Sequence, residues 1–176
     1  PVGLNAVLHV FEHDPTTQQF SEVETKETAI NANGAYAFPD LTLPEGRVIN
    51  ISVDYAGTIY ESEAAAVQAG QPLVFDLPIT IYDTTTDKSV LVMDQAHILF
   101  DYSKPDIVQV VEFYIITNSG TKSVVAAEKG GAIVKVSLPK GYTNLQFEQG
   151  SIGDRYLQTE DGFADTFSVK PGSGQY

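Results

Sequence analysis

Leu4-Asn5-Ala6-Val7-Leu8-His9-Val10-Phe11-Glu12 is the stretch whose reading decides the fold class. Leu4, Ala6, Leu8 and Val10 recur at every second position, the period of a strand with one buried face. Val7 and Phe11 add apolar side chains on the other face, and Asp14-Pro15 ends the run.

The same pattern repeats outward along the chain. Val48 to Tyr55 alternates cleanly, and Phe75 to Tyr82 reads as a strand whose Pro78 belongs at an edge or bulge. Val90 to Tyr102 is a long strand with a break expected at Asp94-Gln95. Ile107 to Thr117 is the most hydrophobic segment and is expected to be a central strand. Lys122 to Ala127, Ala132 to Leu138, Leu145 to Phe147, Arg155 to Gln158 and Ala164 to Val169 read as further strands. Turn residues punctuate these runs at Asn33-Gly34, Pro44-Glu45-Gly46, Ala56-Gly57 and Ala69-Gly70, a spacing that suits sandwiches or barrels. Ser62 to Gln68 is alanine-rich but too short for a helix on its own, and is expected to be an irregular strand.

Asp83-Thr84-Thr85-Thr86-Asp87-Lys88-Ser89 is short and polar and reads as a linker over 83–89. The residues before it carry net charge −9 and those from 83 onward −4. The expected organisation is all-β, with two tandem β-sandwich modules of prealbumin or Ig-like type over 1–82 and 90–176.

The 176 residues hold 23 acidic and 10 basic side chains, a net charge of −13. Such a chain repels a phosphate backbone and an anionic lipid surface, so nucleic acid is not an expected partner. No apolar run approaches the ~20 residues that span a bilayer, so membrane insertion is not expected either. Cysteine is absent, which removes disulfides, thiol nucleophiles and thiolate metal ligands together.

Chemistry-bearing patterns are few. His9-Val10-Phe11-Glu12-His13 spells the H-x-x-E-H of certain zinc peptidases. That chemistry needs a helix, where residues four apart lie ~6 Å from each other. In a strand the same residues are ~13 Å apart, too far to share one zinc. His97 lies in an apolar strand pattern and reads as a packing or hydrogen-bonded residue. There is no G-x-S-x-G elbow, P-loop or dinucleotide fingerprint, and Asp161 and Asp165 read as solvated loop residues rather than an acid–base pair. A non-catalytic protein without an obligatory cofactor is therefore expected. The metal its carboxylates best suit is Ca²⁺, with Asp83 and Asp87 at the linker and Glu160, Asp161 and Asp165 in one loop as candidate oxygen ligands. Tyr55, Tyr60 and Tyr142 are candidates for stacking on a carbohydrate.

Asn31-Ala32-Asn33-Gly34-Ala35-Tyr36-Ala37-Phe38-Pro39-Asp40-Leu41 carries a family resemblance. It resembles the G-x-Y-x-F-x-x-L hairpin of carboxypeptidase-regulatory-like (prealbumin-like) domains. Asn-Gly suits a tight two-residue turn, after which the alternating aromatics face the core. Arg47 to Tyr55 with Gly57 and Ile59-Tyr60-Glu61-Ser62 is similar to that family's next hairpin, so the likeness covers roughly residues 1–82. His97 to Ser103, Val108 to Asn118 and Asn144 to Phe163 resemble a β module that follows such domains in large bacterial envelope proteins. The resemblance implies an extracellular or cell-surface location and a structural or interaction role with protein partners. The alternative is an accessory module of a larger secreted enzyme, binding carbohydrate or peptide. An isopeptide cross-link known in related pilus modules is not expected in the first module, whose one lysine is Lys26 in a polar strand.

Regulatory-like domains open with a strand that has no counterpart before Val2 here. Either the chain is a fragment, or a neighbour supplies the strand. In the second case Leu4, Ala6, Leu8 and Val10 would form an assembly edge, and self-association by strand donation would build a filament.

Overall fold

The computed structural model describes residues 3–70 and 74–175. It is all-β, and the described residues contain no helix. The chain divides into two compact units, Pro1–Ile81 and Tyr82–Tyr176.

The first unit is organised by β1 (Asn5–Asp14), β2 (Gln19–Ala29), β3 (Val48–Tyr55) and β4 (Thr58–Glu61), in the order β2-β1-β3-β4. A short β5 (Ala65–Ala66) adds to β3 where an irregular strand was expected. All pairings are antiparallel. Ala6, Leu8 and Val10 of β1 and Ile49, Ile51 and Val53 of β3 point to one face and are buried, with Leu43 and Val67 beside them. The period-two pattern thus produces its core. The β3–β4 hairpin turns at Ala56-Gly57 with φ of 52° and 78°, as a tight two-residue hairpin loop requires.

Over the core face lie two extended stretches outside any ladder. Tyr36, Phe38 and Leu41 come from one, and Leu77, Ile79 and Ile81 from the other. The Tyr36 hydroxyl donates to the Leu77 carbonyl and ties them together. Phe75 to Tyr82 alternates as expected but is no strand, because its backbone has no ladder partner among the described residues. The Asn31–Ala35 turn also differs from the two-residue form. The Gly34 N–H donates to the Asn31 carbonyl, the Asn31 N–H donates to the Ala35 carbonyl, and Gly34 alone takes positive φ, 82°. This is a three-residue loop with glycine in the left-handed position, held by Asn31 Oδ1, which accepts the N–H groups of Asn33 and Ala35.

The assembly edge is overturned. β1 is an interior strand, paired with β2 along its whole length and with β3 from Val7 to Phe11. Ala6, Leu8 and Val10 are core residues, and the Leu4 carbonyl accepts the Ile30 N–H. The position beside Leu4 to Glu12 is filled by the charged strand β2.

In the second unit, β6 (Thr84–Thr85) runs parallel to β9 (Ser123–Val124). The Ser123 N–H donates to the Asp83 carbonyl, so 83–89 is part of this unit and not a free linker. β7 (Leu91–Asp101), β8 (Gln109–Asn118) and β13 (Gly172–Gln175) form a sheet ordered β13-β8-β7. β13 supplies a closing strand where the sequence pattern stopped short, and the long β7 carries its bulge between Met93 and Gln95, at the expected break. β10 (Val134–Ser137), β11 (Tyr156–Gln158) and β12 (Gly162–Asp165) form a third sheet, ordered β10-β12-β11. Leu145 to Phe147 is not a strand, though Phe147 stacks on Tyr156 at 3.8 Å.

Ile116, Val124, Ile133 and Val169 make the second core. Buried Asn118 stitches it: its amide donates to the carbonyls of Lys122 and Val169, and its oxygen accepts the Gly120 N–H. Arg155 makes a forked ion pair with Asp165 and lies over the rings of Tyr156 and Phe167.

Candidate functional site

β7 and β8 pair over ten positions, and successive side chains alternate between the two faces of the ribbon. Leu99 opposite Val111 and His97 opposite Phe113 share one face; Phe100 opposite Val110 and Ile98 opposite Glu112 share the other. At the Asn118 end β13 lies along Ile115–Asn118 and Ile116 enters the core. Further from that end the ribbon is bare on both faces. Leu99 is 58% exposed, Phe100 57% and, past the strand end, Tyr102 71%. Ile107 and Val108, leading into β8, are exposed as well.

The exposure is large. With about 200 Å² for a fully exposed large apolar side chain, the apolar residues of 98–113 present roughly 900 Å² to water. Divided between the two faces this is roughly 400–500 Å² on each, the size of a soluble monomer's largest apolar patch, about 300–600 Å² and often functional. A two-stranded ribbon with solvated apolar faces is also marginal in water by itself. Both backbone edges are open too. Among the described residues β7 pairs with β8 alone, and β8 meets β13 only over Ile115–Asn118.

Two polar groups punctuate the ribbon. At the bulge, the Asp94 carboxylate accepts the Thr117 hydroxyl. The Tyr114 hydroxyl donates to Glu112 Oε2 at 2.6 Å. Burial first, and then the hydrogen bond and charge of Glu112, push the Tyr114 phenol up to about 12. Glu112, a charged residue on an otherwise apolar face, thus has its own partner.

A different constellation crosses the first sheet. His9 Nδ1 lies 2.7 Å from Glu22 Oε2, and His9 Nε2 lies 2.7 Å from Ser52 Oγ. Serine, histidine and carboxylate in this order resemble the arrangement of a nucleophilic triad. The surroundings do not complete one. β3 is paired on both sides at Ser52, with Val7 and with Glu61, so its N–H belongs to the ladder and is not free to hold an oxyanion. Ser52 is also 9% exposed. What the three side chains do is tie β2, β1 and β3 together on the face opposite the core. The H-x-x-E-H stretch is strand throughout, so His9 and His13 stand two pleats apart. His13 packs instead on the Phe20 ring.

The carboxylates proposed for calcium are not brought together. Asp165 is engaged by Arg155. Asp161 accepts the Ser137 hydroxyl at 2.6 Å and Asp87 accepts from the Ser89 side chain and the Ser89 N–H, and these bonds hold both carboxyls below the usual range. Asp83 and Glu160 join no cluster, and no group of three metal-ligating side chains occurs among the described residues. Of the tyrosines considered for stacking, Tyr60 is a core residue, Tyr55 is half-buried, and the Tyr142 hydroxyl accepts from Gln158. A recess of about 420 Å³ opens over Leu8 and Ile51 between the extended stretches, lined by Tyr36, Phe38, Phe75 and Ile79 among others. No helix among the described residues is long and apolar enough to cross a membrane.

No family model, curated protein or solved structure matches this chain. Sequence reasoning missed the ribbon as a surface and missed Glu22 and Ser52 as partners of His9. The signal for the first was present: Val108 to Ile116 is apolar at both odd and even positions, a pattern that demands cover on both faces.

Proposed function

We propose that the chain is a non-catalytic structural or interaction module of a bacterial extracellular or cell-surface protein, and that it self-associates through the β7–β8 ribbon. The observation that carries this reading is the ribbon's apolar surface, bare on both faces. Each face offers roughly 400–500 Å², a substantial part of the ~800 Å² that each partner contributes to a standard stable interface. The family resemblance supports the location, and the absence of cysteine is compatible with it. Filament growth by strand donation beside β1 loses its motive, since β2 occupies that position.

Sedimentation of the intact chain with and without Leu99→Lys/Phe100→Glu tests the reading. The parent is expected to dimerise or assemble further, and the variant to sediment as a monomer with the melting temperature of the parent in dilute, monomeric samples. Because each copy carries −13, association is expected to strengthen as salt rises. A parent that stays monomeric at high concentration and high salt would sink the proposal.

A second reading, an accessory module for a peptide or carbohydrate, is favoured by the aromatic-lined recess of the first unit, whose size lies within the range of small-ligand sites.

A further inference from the structure

We infer that the second copy joins along the outer edge of β7, antiparallel and about a twofold axis at Ile98; this rests on the self-association proposed above. The edge is unguarded over the six residues Gln95–Phe100, between the bulge at Asp94 and the terminal Asp101. β7 runs for eleven residues with no partner on its outer side among the described residues. Natural edge strands are blunted by charges, prolines or bulges that stop another strand from pairing. From Gln95 to Phe100 β7 has no charge, proline or glycine, and its bulge at Asp94 lies just before this stretch. The outer edge of the first sheet is the opposite case: β2 carries Glu22, Glu24, Lys26 and Glu27.

The free stretch of β8 is a poorer template. Only Gln109–Tyr114 is open there, and β13 blocks its continuation. It also carries Glu112.

The β7 sequence is self-complementary about Ile98. Antiparallel pairing at that centre sets Phe100 opposite Ala96, Leu99 opposite His97 and Asp101 opposite Gln95. The large ring meets the small methyl, and no two like charges face each other. A twofold axis normal to the sheet keeps equivalent faces together, so Ile98, Phe100 and Val110 of both copies form one apolar surface across four strands. An isologous contact of this kind closes on itself and gives a dimer, not an open polymer.

The absence of native cysteine makes the test clean. Residues directly opposite in an antiparallel pair have Cα atoms about 4.5–5.5 Å apart, within disulfide reach. Full-length Ile98→Cys is expected to form a disulfide dimer on mild oxidation. A mixture of Ala96→Cys and Phe100→Cys copies is expected to cross-link at least tenfold faster than either alone. Val111→Cys on β8, three strand spacings across and two residues along from its mate, or ~16 Å, is expected to cross-link at least tenfold more slowly than Ile98→Cys. Dimers in sedimentation that fail to cross-link through either β7 arrangement would overturn the pairing and leave self-association standing. Monomers throughout would overturn both.

Discussion

The hairpins β1–β2 and β7–β8 each pair ten positions with one register bulge, and each has a strand exposed along most of its length. They differ in what covers them. β1 is buried on one face by its own core, and β2 meets water with alternating charges. β7 and the first half of β8 meet water with leucine, isoleucine, valine and phenylalanine on both faces. An exposed strand in itself therefore says little. The side chains on it decide whether water or another protein is the natural neighbour. The first hairpin is complete within its unit, whereas the second has the composition of a central strand and lacks the layers that would make it one.

The sharpest way to break this comparison is to shorten one leucine in each hairpin. Leu8→Ala removes a side chain that is 1% exposed and should cost about 2–5 kcal/mol, from lost transfer energy and the cavity left behind. Leu99→Ala in a dilute, monomeric sample should change stability by no more than about 0.5 kcal/mol, yet weaken association at high concentration. Denaturant titration of both variants supplies the numbers. Equal losses would mean that the ribbon is already covered within its own chain.

Histidine gives a smaller, parallel contrast. His9→Ala deletes both contacts to Glu22 and Ser52 and leaves a nearly buried hydroxyl unpaired, which should cost about 1 kcal/mol. Glu22 is half exposed, so its share is at the low end. His97 makes one 3.1 Å contact with Gln95 at the surface, and His97→Ala should leave the monomer's melting temperature unchanged. A loss at His97 as large as that at His9 would show that the ribbon is internally held.

Much of this was legible in residues alone, for a physical reason. Leu4 to Glu12, Val48 to Tyr55 and the hairpin at Ala56-Gly57 announce themselves because one buried face writes a period of two into the sequence. The bulge beside Asp94 was readable as a polar break in an apolar run. Pairing partners were not. The strand around Lys26 is polar on both faces, so nothing in it says that it lies beside β1. Gly172-Ser173-Gly174-Gln175 has no apolar pattern at all, and it is a strand only because β8 offers it an edge. Phe75 to Tyr82 shows the reverse: its alternation marks which side chains face the core, but a ladder needs a partner that alternation cannot supply. The His9 contacts depend on diagonal neighbours across three strands, which only the register reveals.

The smallest expected effect lies where the ribbon passes from covered to bare. Tyr114 is half-buried and bonded to Glu112, and its phenol is pushed up to about 12, whereas an unfolded tyrosine ionises near 10. The folded state thus favours the neutral phenol. Its contribution is fully present below about pH 10 and is lost as pH rises through about 12. Solvent screening at this partly exposed site keeps the contribution below about 1 kcal/mol. Lysines also lose their charge in this window, so Tyr114→Phe is the reference: the difference in melting temperature between parent and variant should shrink steadily from pH 9.5 upward. A partner stacked over this face, unlike one paired along the β7 edge, would bury the phenol further and move tyrosinate absorbance to higher pH in concentrated samples than in dilute ones. A titration independent of concentration, in samples shown to be associated, would mean that the partner leaves this face of the ribbon open, as pairing along the β7 edge does.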